Sequence, residues 1–157
     1  LFIKYGSDLY FGAMCIALAR AIYVIFTEGA ICDTVVYAMS LPLQHLPPML
    51  SAIGMLIFQT VLNFFVNSGS GQAMVSMPIR LADVLGVTRQ TAVSAFQFGD
   101  GLSNLIWPTS STVFAYLAMA NLRYDKYLKI AVPLFAVLSV LAVIFVAGAQ
   151  LVGFGPF

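Results

Sequence analysis

The chain has 157 residues, 61% of them hydrophobic and only 8% charged, with a net charge of +1 and a mean hydropathy of +0.97. Soluble domains run to about 25% charged residues, and a domain this small cannot hide so much apolar surface from water. The composition therefore excludes an ordinary soluble fold and makes lipid the main solvent, while the near-neutral charge leaves no footprint for nucleic acid.

The expected fold is all-α and polytopic. The first spanning candidate is 8–26, "DLYFGAMCIALARAIYVIF", long enough as a helix to cross about 30 Å of hydrocarbon. Arg20 lies inside it and suits a structural or snorkelling role. Residues 28–48 carry Glu28, Asp33, Pro42, Pro47 and Pro48, and are expected to form a connection with a short helix near one membrane surface. His45, among those prolines, is expected at the surface. Cys15 and Cys32 have neither metal-ligand nor disulfide-framework spacing.

Residues 49–87 pair an apolar run, "MLSAIGMLIFQTVLNFFV", with a shorter one interrupted by Pro78, Arg80 and Asp83. The glycine-serine stretch 67–71 separates them. This pattern predicts a re-entrant hairpin with its tip at 67–71, entering and leaving on the same side. Residues 88–122 open on Thr88, a good N-cap, and are expected to form a transmembrane helix unwound at 99–104, "GDGLSN". Pro108 suits the first turn of its second half. A charged elbow, 123–129, then leads to the last span, 130–152.

Lys4 and the elbow's Arg123, Lys126 and Lys129 fall on one side of this topology. The positive-inside rule makes that side cytoplasmic, so the hairpin opens from the outside.

Irregular backbone at membrane depth survives only where protein buries it or water reaches it. Secondary transporters build sites from such breaks, with half-helix N-termini facing anions and unwound carbonyls facing cations. The candidate binding residues are therefore Asn67, Ser68, Gly69, Ser70 and Gly71 at the tip. At the second break they are Gly99, Asp100, Gly101, Ser103 and Asn104, with Thr109 and Ser110 beyond it. Gln59, Asn63 and Asn67 recur every four residues and share a helix face. Gln90, Ser94 and Gln97 form a second polar row, so Asn63 and Gln97 are expected to lead toward the site. Such residues also serve as interhelical hydrogen-bond glue. Asp100 is the sharpest candidate, because an ionisable group within a membrane is costly and functional by default. It suits a cation, a proton or a basic substrate group; a structural ion pair with Arg20 or a capping role on a half-helix is the plainer alternative.

Enzyme readings fit poorly. "QFGD" has Gln97 where an intramembrane aspartyl protease has glycine, and the only Tyr-Asp comes later, at Tyr124–Asp125. "NSGSG" has Ser68 where a rhomboid-type serine protease has glycine, and the single His lies upstream. No enzyme is expected.

The motifs "NSGSGQA…MPI", "GVTRQTAV", "FQFGDGLSN" and "PTS" resemble the second half of the YfcC/DcuC-type carriers, bacterial inner-membrane proteins of the ion-transporter superfamily. The resemblance extends from about Phe11 through the last span. It implies one inverted repeat of a two-repeat fold, with a hairpin and a broken helix, and hence a missing N-terminal repeat as partner. It also implies a homodimer with elevator-like motion, and a carboxylate-bearing substrate bound at the tips. Na⁺ at Ser68, Gly69, Gly99 and Asp100, or H⁺, is the implied coupling ion; no other cofactor is expected. The substrate expectation is a C4-dicarboxylate, with a basic amino acid exchanged by an arginine/ornithine type of carrier as the alternative. A non-transporting membrane subunit of a larger complex is the alternative of another class. One departure is that Arg80 joins "MPI" directly to "LADVLGV", where this family pattern carries a few more residues.

Overall fold

The computed structural model describes residues 31–155 apart from Met77, together with Tyr10, Met14, Ala17, Leu18, Ala21, Val24, Ile25, Glu28 and Gly29. The expected first span, with Lys4, Cys15 and Arg20, lies largely outside the described residues. The side chains of Cys32, Asp33 and Arg80 lie outside them as well.

The described residues form no strand. In chain order the helices are α1 Ile31–Leu43, α2 Pro48–Phe65, α3 Gly69–Ser76, α4 Pro78–Leu85, α5 Arg89–Ser103, α6 Ser111–Met119 and α7 Tyr124–Val152. Two are long and apolar enough to cross a membrane, α2 and α7, with mean hydropathies of 1.6 and 2.9. The large apolar side chains of α7 are widely exposed, among them Ile130, Val137, Ile144, Phe145 and Leu151. Such a surface suits lipid rather than water.

α2 is the centre of the packing. It opens on Pro48, whose missing N–H costs nothing in a first turn. The Ser51 hydroxyl reaches back to the Leu43 carbonyl at 2.9 Å, tying the end of α1 to α2. Met55, Leu56, Phe58 and Leu62 of α2 pack in one core with Leu81, Ala82 and Leu85 of α4, Ala92 and Ala95 of α5, and Ala142 and Val146 of α7. Thr88 caps α5 as its sequence indicates, accepting from the Thr91 N–H. Its own N–H donates to Gln150 Oε1 at 3.1 Å, and its hydroxyl reaches the Phe154 carbonyl at 3.2 Å. Gly153, at φ +66°, turns the chain left-handed there, a conformation that glycine adopts without a Cβ clash. The end of α7 is thereby tied to the start of α5.

The structure moves several expected boundaries. The break after α2 is Val66–Ser68, and Gly69, Ser70 and Gly71 form the first turn of α3 rather than a loose tip. The described residues of the return arm are helical on both sides of residue 77, over α3 and α4. The stretch 99–104 is not unwound: α5 continues to Ser103, and the irregular segment is 104–110. Pro108 sets that position, since its ring clashes with the carbonyl four residues earlier, at Asn104, and it disfavours helix at Trp107. α6 starts at Ser111, so Pro108 lies before the second half-helix and not in its first turn. The elbow is shorter than 123–129: Asn121 takes φ 51°, and α7 begins at Tyr124 with Asp125, Lys126 and Lys129 already helical.

Candidate functional site

The hairpin break and the end of α5 meet through side-chain amides. Asn63, one turn before the break, is fully buried and donates through Nδ2 to the Asp100 carbonyl at 3.1 Å and to Ser103 Oγ at 2.7 Å. The Ser103 hydroxyl donates to the Gly99 carbonyl at 2.5 Å. Asn67 Nδ2 donates to Asn104 Oδ1 at 2.8 Å, and Asn104 Nδ2 donates to the Asp100 carbonyl at 2.9 Å. The Asp100 carbonyl in the last turn of α5 thus accepts from two asparagine side chains, Asn63 and Asn104.

Ser68 starts α3. Its carbonyl accepts from the Gln72 N–H at 2.7 Å, and its hydroxyl lies 3.4 Å from the Gly71 N–H. The Asp100 carboxylate lies against this N-terminus: a Cβ on Gly69 would fall 3.1 Å from Asp100 Oδ2. A helix N-terminus carries partial positive charge and favours an anion, which gives the carboxylate a physical reason to sit there. Asp100 Oδ1 is buried and has no partner. Among the described residues no ion pair engages Asp100. Arg89 pairs with Asp83 at 2.9 Å and Arg123 with Asp125 at 3.1 Å, both in exposed positions.

A Gly69→Ala substitution is expected to push this carboxylate aside by a few tenths of an ångström while leaving the fold intact. Thermal unfolding close to wild type with weakened substrate binding is the expected result, measured by ligand-dependent thermal shift. Unchanged binding would show that the carboxylate's seat on α3 does not matter.

The segment 104–110 is held on both sides. Trp107 Nε1 donates to the Thr60 carbonyl at 2.8 Å, and its ring meets Phe64 edge-on at 5.1 Å. The Tyr124 hydroxyl donates to the Ile106 carbonyl, while its ring stacks on Phe114 at 5.1 Å. Thr109 Oγ1 is buried without a partner, and Ser110 is buried beside it in sequence. Trp107→Phe keeps the ring contact and removes the N–H. It is expected to cost about 1 kcal/mol of stability, read by thermal or denaturant unfolding; no loss would show that the anchor is idle.

Other candidates stand apart from this cluster. Gln97 is exposed and lines an apolar groove with Ala73, Met74, Pro78, Ile79, Val93 and Phe96. Gln90 is exposed too, and Ser94 donates to the Gln90 carbonyl of its own helix at 2.9 Å. Ser70 is exposed, 3.4 Å from the Ser68 hydroxyl. Gly101 is exposed, and a Cβ there would meet nothing within 4 Å. Gly71 is buried in the first turn of α3. Gly99 has a packing role: a Cβ would lie 2.5 Å from Gln59 Cβ and 3.0 Å from the Leu56 carbonyl, so α5 and α2 touch there backbone to backbone.

Among the described residues no cluster of three or more His, Cys, Asp or Glu could hold a metal. Of the four residues expected around Na⁺, Asp100 is the one whose side chain has a buried oxygen without a partner. The Gly99 carbonyl is engaged by Ser103. Gln72 was missed as a candidate: it is fully buried and bonds Gln59 across the hairpin. Its polarity directly after the glycine-serine stretch 67–71 was the available signal.

The family model described as C4-dicarboxylate anaerobic carrier matches residues 2–151. The "Putative basic amino acid antiporter YfcC" of Escherichia coli is 37% identical over 149 residues, covering 90% of this chain and 29% of that protein. An uncharacterized protein of Haemophilus influenzae is 32% identical over 135 residues, covering 85% of this chain and 26% of that protein. The chain thus spans under a third of the length of these relatives. No solved structure matches it.

Proposed function

The chain belongs to the C4-dicarboxylate anaerobic carrier family, and on that premise we propose that it supplies a substrate-holding part of a secondary-active transporter for a small carboxylate-bearing metabolite. The single observation that carries the substrate reading is the buried, unpartnered oxygen of Asp100, whose carboxylate lies against the N-terminus of α3. A basic amino acid offers both signs of charge. Its cationic group meets Asp100, and its carboxylate meets the N–H groups of the first α3 turn. The name of the Escherichia coli relative agrees with this reading.

A C4-dicarboxylate is the second reading, favoured by the description of the family. Its carboxylates would meet a like charge in Asp100, so that substrate needs Na⁺ or H⁺ on Asp100 first. Either reading makes the carboxylate a coupling device. Moving it across the bilayer uncompensated is costly; a bound cation lowers that cost, whether it belongs to the substrate or comes from a coupling ion. Tight exchange or cation symport follows from this asymmetry.

The chain works beside an N-terminal repeat of the same transporter, in a homodimer, in a bacterial inner membrane. The 123–129 side is cytoplasmic and the hairpin opens outward.

Counterflow in proteoliposomes of the full-length protein tests this. Labelled arginine is expected to accumulate in vesicles preloaded with arginine or ornithine, without a requirement for Na⁺. Labelled succinate exchanging only in Na⁺ would instead establish the second reading. Exchange of neither, with Asn67 and Asp100 variants indistinguishable from wild type in the cell, would point to a non-transporting subunit and overturn both.

A further inference from the structure

Below the tip, inside the hairpin, three amide side chains have no exposure at all: Gln59 and Asn63 of α2 and Gln72 of α3. Backbone carbonyls fix which way each amide faces, because a carbonyl only accepts. Gln72 Nε2 lies 2.8 Å from the Gln59 backbone carbonyl, so the nitrogen must be there. The same nitrogen lies 2.8 Å from Gln59 Oε1, which orients Gln59. Asn63 Nδ2 lies 3.1 Å from the Asp100 carbonyl, which orients Asn63. Three buried atoms are then left without a partner: Gln59 Nε2, Asn63 Oδ1 and Gln72 Oε1. Gln59 and Asn63 lie one turn apart on one face of α2, and Gln72 is bonded to that face from the other arm.

Native proteins seldom bury amide groups unpaired. The leftover set is one donor group and two acceptors. A metal cation would satisfy the oxygens but face an amide NH₂. A carboxylate would satisfy the NH₂ but face two carbonyl oxygens. A water molecule donates twice and accepts, and buried waters typically make about three such bonds. We propose that Gln59, Asn63 and Gln72 form a binding site for one water molecule between the hairpin arms.

This water completes a polar row along the hairpin seam. Ser76 Oγ donates to the Gln72 carbonyl at 2.8 Å, Gln72 bonds Gln59, and Asn63 bonds the Asp100 carbonyl. The seam under Asp100 is therefore hydrated rather than dry, and its hydrogen bonds can exchange with water when the arms move. The inference stands independently of which substrate the carrier takes.

X-ray hydroxyl-radical footprinting of the full-length protein in detergent tests it, because a bound water generates radicals where bulk water cannot reach. Leu62 is the reporter: it is buried and lies three residues after Gln59. Leu117 of α6, also buried, is the control. Oxidation of Leu62 well above Leu117, carrying ¹⁸O after equilibration in labelled water, is the expected result. In the Gln59→Leu/Gln72→Leu double variant, which replaces both amides of the pair by apolar groups and so leaves neither unpaired, the signal should fall to the Leu117 level. Equal oxidation of Leu62 and Leu117 in the wild type would overturn the proposal, whether or not the variant folds. So would signal that persists in the double variant, or that Na⁺ abolishes where choline does not.

Discussion

Asp100→Asn is expected to eliminate exchange while leaving the protein folded. The asparagine keeps the shape of the side chain against α3 and removes its charge. Losing one partner of a desolvated charge pair costs about 2–5 kcal/mol, which corresponds to a fall in substrate affinity of roughly 30- to 4,000-fold at about 1.4 kcal/mol per tenfold. Stability should change little: neutralising a buried charge relieves a burial cost, which offsets the loss of its favourable contact with the α3 N-terminus, typically about 0.3–1 kcal/mol. Binding titrations and thermal unfolding of the same preparation check both halves. Normal exchange by a folded Asp100→Asn protein would remove Asp100 from the mechanism. Loss of folding would make it a structural residue instead.

Gly99→Val is expected to fail in the opposite way, through the fold. The space a Cβ would need is taken by Gln59 Cβ at 2.5 Å, the Leu56 carbonyl at 3.0 Å and the Thr60 N–H nitrogen at 3.1 Å. Two of those three neighbours are backbone of α2 and cannot rotate away. Overpacking a tight contact costs about 1–3 kcal/mol for added methylenes, occasionally more, and a branched side chain here separates α5 from α2. The Asn63 bonds to Asp100 and Ser103 would break with it. Gly101→Ala, two residues on, meets nothing within 4 Å and should stabilise the helix by about 0.5–1 kcal/mol. Unfolding of the two variants side by side checks the contrast. If Gly99→Val is as stable as Gly101→Ala, the two helices do not meet as described.

Those two glycines also show what the sequence could carry. "GDG" in an apolar context predicts an unwound helix, because glycine costs helix stability wherever it stands. Glycine also appears where two backbones must touch, and one sequence cannot separate these causes. Pro108 was the better signal for the break, since its missing N–H and ring clash act on the helix whatever the packing. The local devices were legible: Thr88 caps α5, and the spacing of Asn63 and Asn67 put both on one face leading to the hairpin tip, while their bonds to Ser103 and Asn104 were not foreseen. Family membership was legible too, in "GVTRQTAVSAFQFGDGLSN". Pairings across the hairpin were not. Gln59 and Gln72 become neighbours only once the break is fixed at 66–68. Trp107 reads as an apolar residue until its N–H finds the Thr60 carbonyl. The charged elbow 123–129 reads as a loop, yet long charged side chains at a helix end can reach polar surroundings while their stems stay apolar.

The most direct test of the central claim, that Asp100 receives the cationic group of a basic amino acid, is a thermal-shift panel on the full-length protein and its Asp100→Asn variant in detergent. Arginine, ornithine, succinate and fumarate are compared, each in Na⁺ and in choline. A ligand at one hundred times its Kd stabilises by about 2.7 kcal/mol, which such a panel resolves. The account predicts a shift with arginine or ornithine in either salt, lost in Asp100→Asn. A shift with succinate or fumarate alone, and only in Na⁺, would contradict it and make Asp100 a seat for the coupling ion of a dicarboxylate carrier.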